Sequence, residues 1–168
     1  MDATPISARP TEIESRSELG DWEGDLIAGR SNSHLATLVD RMSRHTVLVK
    51  VEGKDTLTVT SALKEAICGL SNILFRTLTW DRGTELARHK DLSAATNIDI
   101  YFCDPKSPWQ RGTNENTNRL LRQYLPKGTL LGEHTQNELD EIAARLNQRP
   151  RKILGFRTPA DVMGGVLR

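Results

Sequence analysis

The chain has 168 residues and a formal net charge of +1, with 23 Lys and Arg against 22 Asp and Glu. This length favours one domain with a sizeable core, and no apolar run approaches the ~20 residues that a membrane span needs. The small net charge hides an asymmetry: residues 1–108 carry 13 basic and 16 acidic side chains, and residues 109–168 carry 10 and 6. An acidic half beside a basic half is compatible with a metal site next to a polyanion surface, and equally with a solvated basic helix pair.

The first half of the chain predicts a tail followed by a strand meander and a helix. Residues 1–18 are polar and aperiodic, and we interpret them as a tail or linker remnant, which leaves 19–168 as the domain. Alternating apolar patterns predict three successive strands, at 19–28, 34–40 and 45–51. Asp55 or Thr56 can cap a helix that runs to about Cys68. Candidates for the buried side of this helix are Leu57, Leu63, Ala66 and Ile67.

The second half alternates strands with helices. An apolar run at 74–80 predicts a buried parallel strand, and Asp81-Arg82-Gly83 predicts a turn. The remaining predicted elements are a helix at 84–95, a strand at 98–102, and helices that begin near Ser107-Pro108, Thr135 and Thr158-Pro159. The first of these three helices runs to about Tyr124. This order predicts an α/β fold with a mixed five-stranded sheet, an antiparallel meander plus parallel strands, flanked by helices.

The two cysteines, Cys68 and Cys103, form no CxxC pattern and have no His at ligand spacing. We therefore expect reduced, buried thiols and a cytoplasmic protein.

Three carboxylates stand in settings that suit chemistry. Asp25 alternates with Glu23, so both point to one face of the first strand, where an acid is costly unless it is paired or metal-bound. Asp81 ends the predicted parallel strand, at the edge where α/β sheets place their ligands. Glu115 lies in a polar helical segment and shares a helical face with Arg111, Asn118, Arg119 and Arg122. If the fold brings the three acids together, they form an oxygen-rich site that suits two divalent metal ions.

Each of these signals has an ordinary structural alternative. Asp25 could lie on an edge strand with a solvated face, and Asp81 could belong to a common Asp-x-Gly turn. Glu115 could belong to an exposed helix with ion pairs between successive turns.

The combination is more specific than its parts. Trp22-Glu23-Gly24-Asp25-Leu26-Ile27, Trp80-Asp81-Arg82-Gly83-Thr84-Glu85 and the block from Asp104 to Asn116 together resemble the catalytic core of DDE transposases. They are most similar to the IS-thirty group of bacterial insertion sequences, over roughly residues 10–165. Departures from that pattern at Lys106, Arg119 and Asp161 remove none of the acids.

The resemblance implies a ribonuclease-H-like fold and a polynucleotidyl transferase in which Asp25, Asp81 and Glu115 are the catalytic and metal-binding residues. It implies two Mg²⁺ ions, for which Mn²⁺ can substitute. It also implies DNA as partner, both transposon ends and target, with a homo-oligomer on the DNA and association with the bacterial nucleoid. Such transposases usually carry an upstream helix-turn-helix region that this chain does not contain, so we expect an excised core domain or a truncated gene product.

Candidate DNA contacts lie in the last third of the chain. They are Gln110, Arg111, Asn114, Asn118, Arg119, Arg122, Lys127, Arg149, Arg151 and Lys152. Trp22 and Trp80 are expected in the core. Trp109 is expected to wedge against the sheet, with base stacking as the alternative.

Two other functions remain open at this point. One is a ribonuclease-H-like nuclease without strand transfer, and the other is an inactive DNA-binding or oligomerisation module left by truncation. Mg²⁺-dependent nicking separates the enzymes from the binding module, and joining of a pre-cut donor end separates transposase from nuclease.

Overall fold

The computed structural model describes residues 3–70, 74–81 and 83–167, and its centre is one five-stranded sheet. The strands are β1 (Asp21–Ala28), β2 (His34–Asp40), β3 (Thr46–Val51), β4 (Thr77–Trp80) and β5 (Asp99–Phe102). They lie in the order β3-β2-β1-β4-β5, with the β1–β2–β3 pairs antiparallel and the β1–β4 and β4–β5 pairs parallel. The predicted mixed sheet is confirmed, and β1 is its central strand rather than an edge.

Helices cover both faces of this sheet. They are α1 (Thr11–Glu14), α2 (Thr56–Cys68), α3 (His89–Thr96), α4 (Gly112–Leu121), α5 (Gln136–Asn147) and α6 (Pro159–Leu167). One core cluster contains Trp22 and Trp80, which are 1% and 0% exposed as expected. A second cluster packs Ile27 of β1 against α4 and α5. Alternate residues of β1 therefore serve the two faces, and Glu23, Asp25 and Ile27 share the face that α4 covers.

Two predicted helix starts are confirmed as side-chain caps, while Ser107 makes no such cap. The Asp55 carboxylate accepts a hydrogen bond from the backbone N–H of Thr58 at 3.0 Å and caps α2. The Thr135 hydroxyl does the same for the N–H of Glu138 at 3.1 Å and caps α5. Each cap satisfies a backbone donor that the helix itself leaves unpaired.

One side-chain prediction for α2 is wrong. Leu63 and Ile67 are buried, but Leu57 is 56% exposed. The buried stripe runs through Val59, Leu63 and Ile67 at intervals of four, and Leu57, two residues before Val59, lies on the opposite side of the helix.

Cys68 also departs from expectation, because it is exposed at the end of α2 while Cys103 is buried. Ile67 takes the inward position, which turns the next residue away from the core. Burial raises the pKa of the Cys103 thiol to about 11.

Several boundaries differ from the predicted ones. The fourth strand begins at Thr77 rather than at residue 74, although Leu74 is buried and its carbonyl accepts a hydrogen bond from Trp22 Nε1 at 2.6 Å. The helix predicted from Thr84 starts as a 3₁₀ turn, and α3 begins only at His89. Residues 71–73 and Arg82, the centre of the predicted turn after β4, lie outside the described residues.

Residues before 19, predicted as a tail or linker remnant, contact the sheet. The backbone N–H of Phe102 donates to the carbonyl of Thr4 at 2.9 Å, and Arg9 donates to the hydroxyl of Thr79 at 2.9 Å. Ile13 of α1 is 5% exposed. The domain boundary at residue 19 stays a prediction. Within the part of the chain that the structure describes, every helix is too short or too polar to cross a membrane.

Candidate active site

Two of the three predicted acids meet where β1 and β4 run side by side. The parallel register pairs Glu23 with Thr79, and Asp25 and Asp81 each follow two residues later along the chain. Residues two apart share a sheet face, which places these carboxylates beside each other on the face covered by α4. Nearby negative charge from Asp81 accordingly contributes to a raised pKa of Asp25, after the larger effect of burial.

Gly24 permits the close packing of the two strands. A Cβ at this position would lie 2.5 Å from two ring carbons of Trp80 and 3.0 Å from Leu78. Trp80 and Leu78 are both fully buried. A larger residue at position 24 of β1 would therefore overlap them, and glycine avoids this overlap.

Arg111 bridges the two acids. Its Nη1 lies 3.2 Å from Asp25 Oδ2 and its Nη2 lies 3.4 Å from Asp81 Oδ2. The Arg111 side chain is 9% exposed, whereas those of Asp25 and Asp81 are 22% and 50% exposed. Burial raises the pKa of Asp25, and the Arg111 charge opposes that shift. The guanidinium therefore supplies the positive charge that two adjacent carboxylates need.

Hydrogen bonds hold the start of α4 against the same face of β1. The backbone N–H of Asn114 donates to Glu23 Oε2 at 2.8 Å, and its side-chain amide donates to the Thr37 hydroxyl at 3.3 Å. One turn later, Asn118 Nδ2 donates to Asp25 Oδ2 at 3.1 Å. Asn114 is fully buried, so it anchors the helix. Asn118, which is half-buried, orients the Asp25 carboxylate.

Glu115, the third predicted acid, lies in the first turn of α4 with an exposed side chain. Among the described residues, no group of three or more His, Cys, Asp and Glu side chains could hold a metal ion. The structure thus brings Asp25 and Asp81 together, and the placement of all three acids in one metal site stays a prediction.

The helix predicted to run from Ser107 to Tyr124 is interrupted, and this changes the position of Arg111. Pro108–Arg111 form a 3₁₀ turn, and Arg111 has φ −126°, outside the helical range. Helical spacing cannot be counted across this break, so the predicted face shared by Arg111 and Glu115 is wrong. The same turn carries Trp109 outward, where it is 73% exposed rather than wedged against the sheet.

The candidate DNA contacts have very different environments. Gln110 bonds to the exposed Asp104, and Arg122 bonds to the backbone carbonyls of Leu125 and Ala28. Exposed side chains are those of Arg119, Lys127, Arg149 and Lys152, while Arg111, Asn114 and Arg151 are buried. Their role in binding DNA stays a prediction.

Sequence reasoning missed a set of arginines beside this site. Arg41 pairs with the fully buried Glu23, and Arg9 pairs with Glu14. Arg16 and Arg44 both donate to the hydroxyl of Thr113, the residue before Asn114. Glu23 was the available signal, since a carboxylate facing inward from a central strand requires a cationic partner.

Comparison with known proteins assigns a family to this arrangement. Residues 16–108, more than half of the chain, match the family described as the integrase core domain. The chain is 55% identical over 163 residues to the transposase InsI of insertion sequence element IS30A from Escherichia coli, covering 97% of this chain and 43% of that protein. It is 51% identical over 167 residues to the transposase of element IS1086 from Cupriavidus metallidurans, covering 99% and 49%. The chain thus spans less than half the length of these relatives.

The fold itself is found in solved structures. The catalytic core domain of BIV integrase superposes with a TM-score of 0.65 at 19% sequence identity, over 84% of this chain and 91% of that one. The likeness confirms the predicted ribonuclease-H-like fold.

Proposed function

The chain belongs to the integrase core domain family, and we propose that it is the catalytic core of a DDE-type transposase. In this proposal it cleaves DNA strands at transposon ends and joins them to target DNA, as a homo-oligomer assembled on the DNA. The observation that carries the proposal is the convergence of Asp25 and Asp81 on Arg111 in a chain so similar to insertion-sequence transposases.

The residues at the acid pair fit a hard divalent cation. Asp25 and Asp81 direct carboxylate oxygens at a guanidinium, so this point of the molecule already accommodates positive charge. Asn118 Oδ1 is buried with no hydrogen-bond partner among the described residues. Carboxylate and amide oxygens are the ligands that Mg²⁺ takes in proteins. We infer that Asp25, Asp81 and Glu115 hold two Mg²⁺ ions, for which Mn²⁺ can substitute.

Bound ions of this kind activate an attacking oxygen and stabilise the leaving oxygen in displacement at phosphorus. The chain contributes the geometry. Asn118 orients Asp25, and the Asn114–Glu23 contact fixes α4 against β1. Glu115 and Asn118 lie three residues apart on α4 and are neighbours on its surface. Because Asn118 reaches Asp25, this spacing supports a place for Glu115 beside the acid pair.

The test is Asp81→Asn compared with Asp99→Asn. Asp81→Asn keeps the side-chain volume but removes a negative charge that would hold cations and repel phosphate, so Mg²⁺-dependent plasmid nicking should be lost while DNA affinity is kept or increased. Asp99 is exposed and begins β5, at the opposite end of the parallel strands from Asp81. Asp99→Asn should therefore nick like the parent. Normal nicking by folded Asp81→Asn protein would refute the catalytic assignment.

A second assay separates strand transfer from simple hydrolysis. A pre-cut donor end is incubated with a target plasmid and Mg²⁺, and joined products are counted. Nicking without joining would favour the ribonuclease-H-like nuclease, and the absence of both in the parent chain would favour the inactive binding module.

A further inference from the structure

Four arginine side chains gather beside the start of α4, and we call Arg9, Arg16, Arg41 and Arg44 the arginine cluster. Arg9, Arg16 and Arg41 line a cavity of about 420 Å³. Glu14, Asp104 and the exposed Trp109 also line it. The four arginines come from the N-terminal segment and from the turn between β2 and β3. None is among the residues that the proposed chemistry uses.

Positive charge exceeds negative charge in this cluster. Arg9 pairs with Glu14, and Arg41 pairs with Glu23. Arg16 and Arg44 make no ion pair with a carboxylate anywhere in the described residues, and both donate instead to the single hydroxyl oxygen of Thr113. Two guanidinium groups that converge on one neutral oxygen repel each other, and a bound anion would remove that repulsion.

Hydrogen-bond donors in the cluster are also left over. The Nε atoms of Arg9, Arg41 and Arg44 are buried and have no partner within the residues that the structure covers. The side chains of Arg9 and Arg41 are only 2% and 3% exposed. Buried donors without acceptors are costly. Arg9 and Arg41 line the cavity, so their Nε donors are better satisfied when an acceptor-rich ligand enters it.

The electrostatics agree with this geometry. Burial lowers the pKa of Arg16, Arg41 and Arg44; neighbouring arginines lower it further, and the Glu23 charge opposes the shift. The guanidinium groups remain charged, and they lie in surroundings that disfavour positive charge.

We infer that the arginine cluster binds a phosphate group, and specifically a backbone phosphate of the DNA substrate. Guanidinium groups match the oxygens of phosphate through paired, charge-assisted hydrogen bonds. Thr113, which Arg16 and Arg44 contact, is two residues from Arg111, which contacts Asp25 and Asp81. The cluster thus contacts a residue that closely follows the turn ending at Arg111, and the exposed Trp109, which lines the cavity, offers a surface on which a base can stack. This assignment of DNA as the source of the phosphate rests on the proposed function.

The experiment uses the double variant Arg16→Gln and Arg44→Gln. Neither arginine pairs with a carboxylate of the described residues, so its replacement leaves none of these carboxylates without a partner. Arg145→Gln is the matched control, since Arg145 is exposed on α5 and outside the cluster. Inorganic phosphate at millimolar concentrations should raise the melting temperature of the parent and of the control, but not of the double variant. Binding of a DNA duplex, measured in EDTA across salt concentrations, should weaken about ten-fold in the double variant, with a salt slope reduced by about one to two.

Arg16→Lys with Arg44→Lys keeps the charge and should recover part of the DNA affinity. Unchanged DNA affinity and salt slope in a folded double variant would overturn the inference. A phosphate-dependent melting shift without any change in DNA binding would also overturn it, because the site would then serve free phosphate. These measurements contain no metal, so they are independent of Asp81→Asn. If Asp81→Asn loses nicking but the Arg16→Gln and Arg44→Gln double variant binds DNA like the parent, the phosphate site is refuted and the proposed function stands.

Discussion

Replacing Arg111 with methionine tests whether the guanidinium is the counter-ion of the acid pair. The change keeps much of the buried side-chain volume and removes the charge that lies 3.2 Å from Asp25 and 3.4 Å from Asp81. Removing one partner of a fully buried ion pair costs about 3–5 kcal/mol, whereas exposed pairs contribute about 0–1 kcal/mol. Arg111 is buried but its partners are 22% and 50% exposed, so we expect the free energy of unfolding to fall by about 2–3 kcal/mol.

The same substitution predicts a pH dependence with a defined sign. Burial already raises the pKa of Asp25 in the folded protein, and loss of Arg111 removes an opposing effect. An acid whose pKa is raised by folding contributes stability below its unfolded pKa of about 3.9, and this stability is lost as pH rises through the folded value. The deficit of the variant should therefore shrink as pH falls from 7 towards that range.

Urea denaturation in EDTA at several pH values measures both effects. Arg119→Met is the control, because Arg119 is exposed on α4 and bonds only to Asn116 within the described residues; its free energy of unfolding should change by less than about 0.5 kcal/mol. An Arg111→Met variant as stable as the parent, or a deficit that does not vary with pH, would refute the counter-ion role.

Two further predictions concern packing and the thiols. Gly24→Ala should lower the free energy of unfolding by about 1–3 kcal/mol in urea denaturation, because its Cβ would overlap the Trp80 ring. Gly132→Ala, where a Cβ meets no heavy atom within 4 Å, should stay close to the parent, and equal effects at the two sites would contradict the packing argument. In native protein at pH 8, a thiol reagent should label Cys68 rapidly and Cys103 slowly, since Cys103 is buried with its pKa raised to about 11. Rapid labelling of both thiols in the folded protein would contradict the burial of Cys103.

The strand pattern could be predicted because it depends on local periodicity, whereas the meeting of Asp25 with Asp81 is implied only by the resemblance to DDE transposases. Alternation places Glu23 and Asp25 on one face, and an apolar run ending in Asp81 indicates a buried parallel strand. The adjacency of β1 and β4, which aligns the two acids, does not follow from this periodicity. The boundaries were less predictable, as at Leu74, which is buried but lies outside β4.

Arg111 could not be placed from the sequence for a conformational reason. The sequence predicts one continuous helix from Pro108 through Glu115. The backbone, however, leaves the helical range at Arg111. A single non-helical residue rotates everything before it relative to the helix. Trp109 is exposed and Arg111 reaches Asp25 for this reason, and neither outcome follows from residue spacing.

The arginine cluster could not be predicted from the distribution of charge along the chain. Residues 1–108 carry more acidic than basic side chains, so charge along the chain predicts phosphate contacts in the basic last third. Arg9, Arg16, Arg41 and Arg44 all belong to the acidic half, and only tertiary contacts with Thr113 and Glu23 gather them. Folding thus gathers these arginines beside the start of α4, where Thr113 lies two residues from the Arg111 that bridges the acid pair. The net charge of +1 is a sum over the whole chain, so it carries no information about a local excess of charge of this kind.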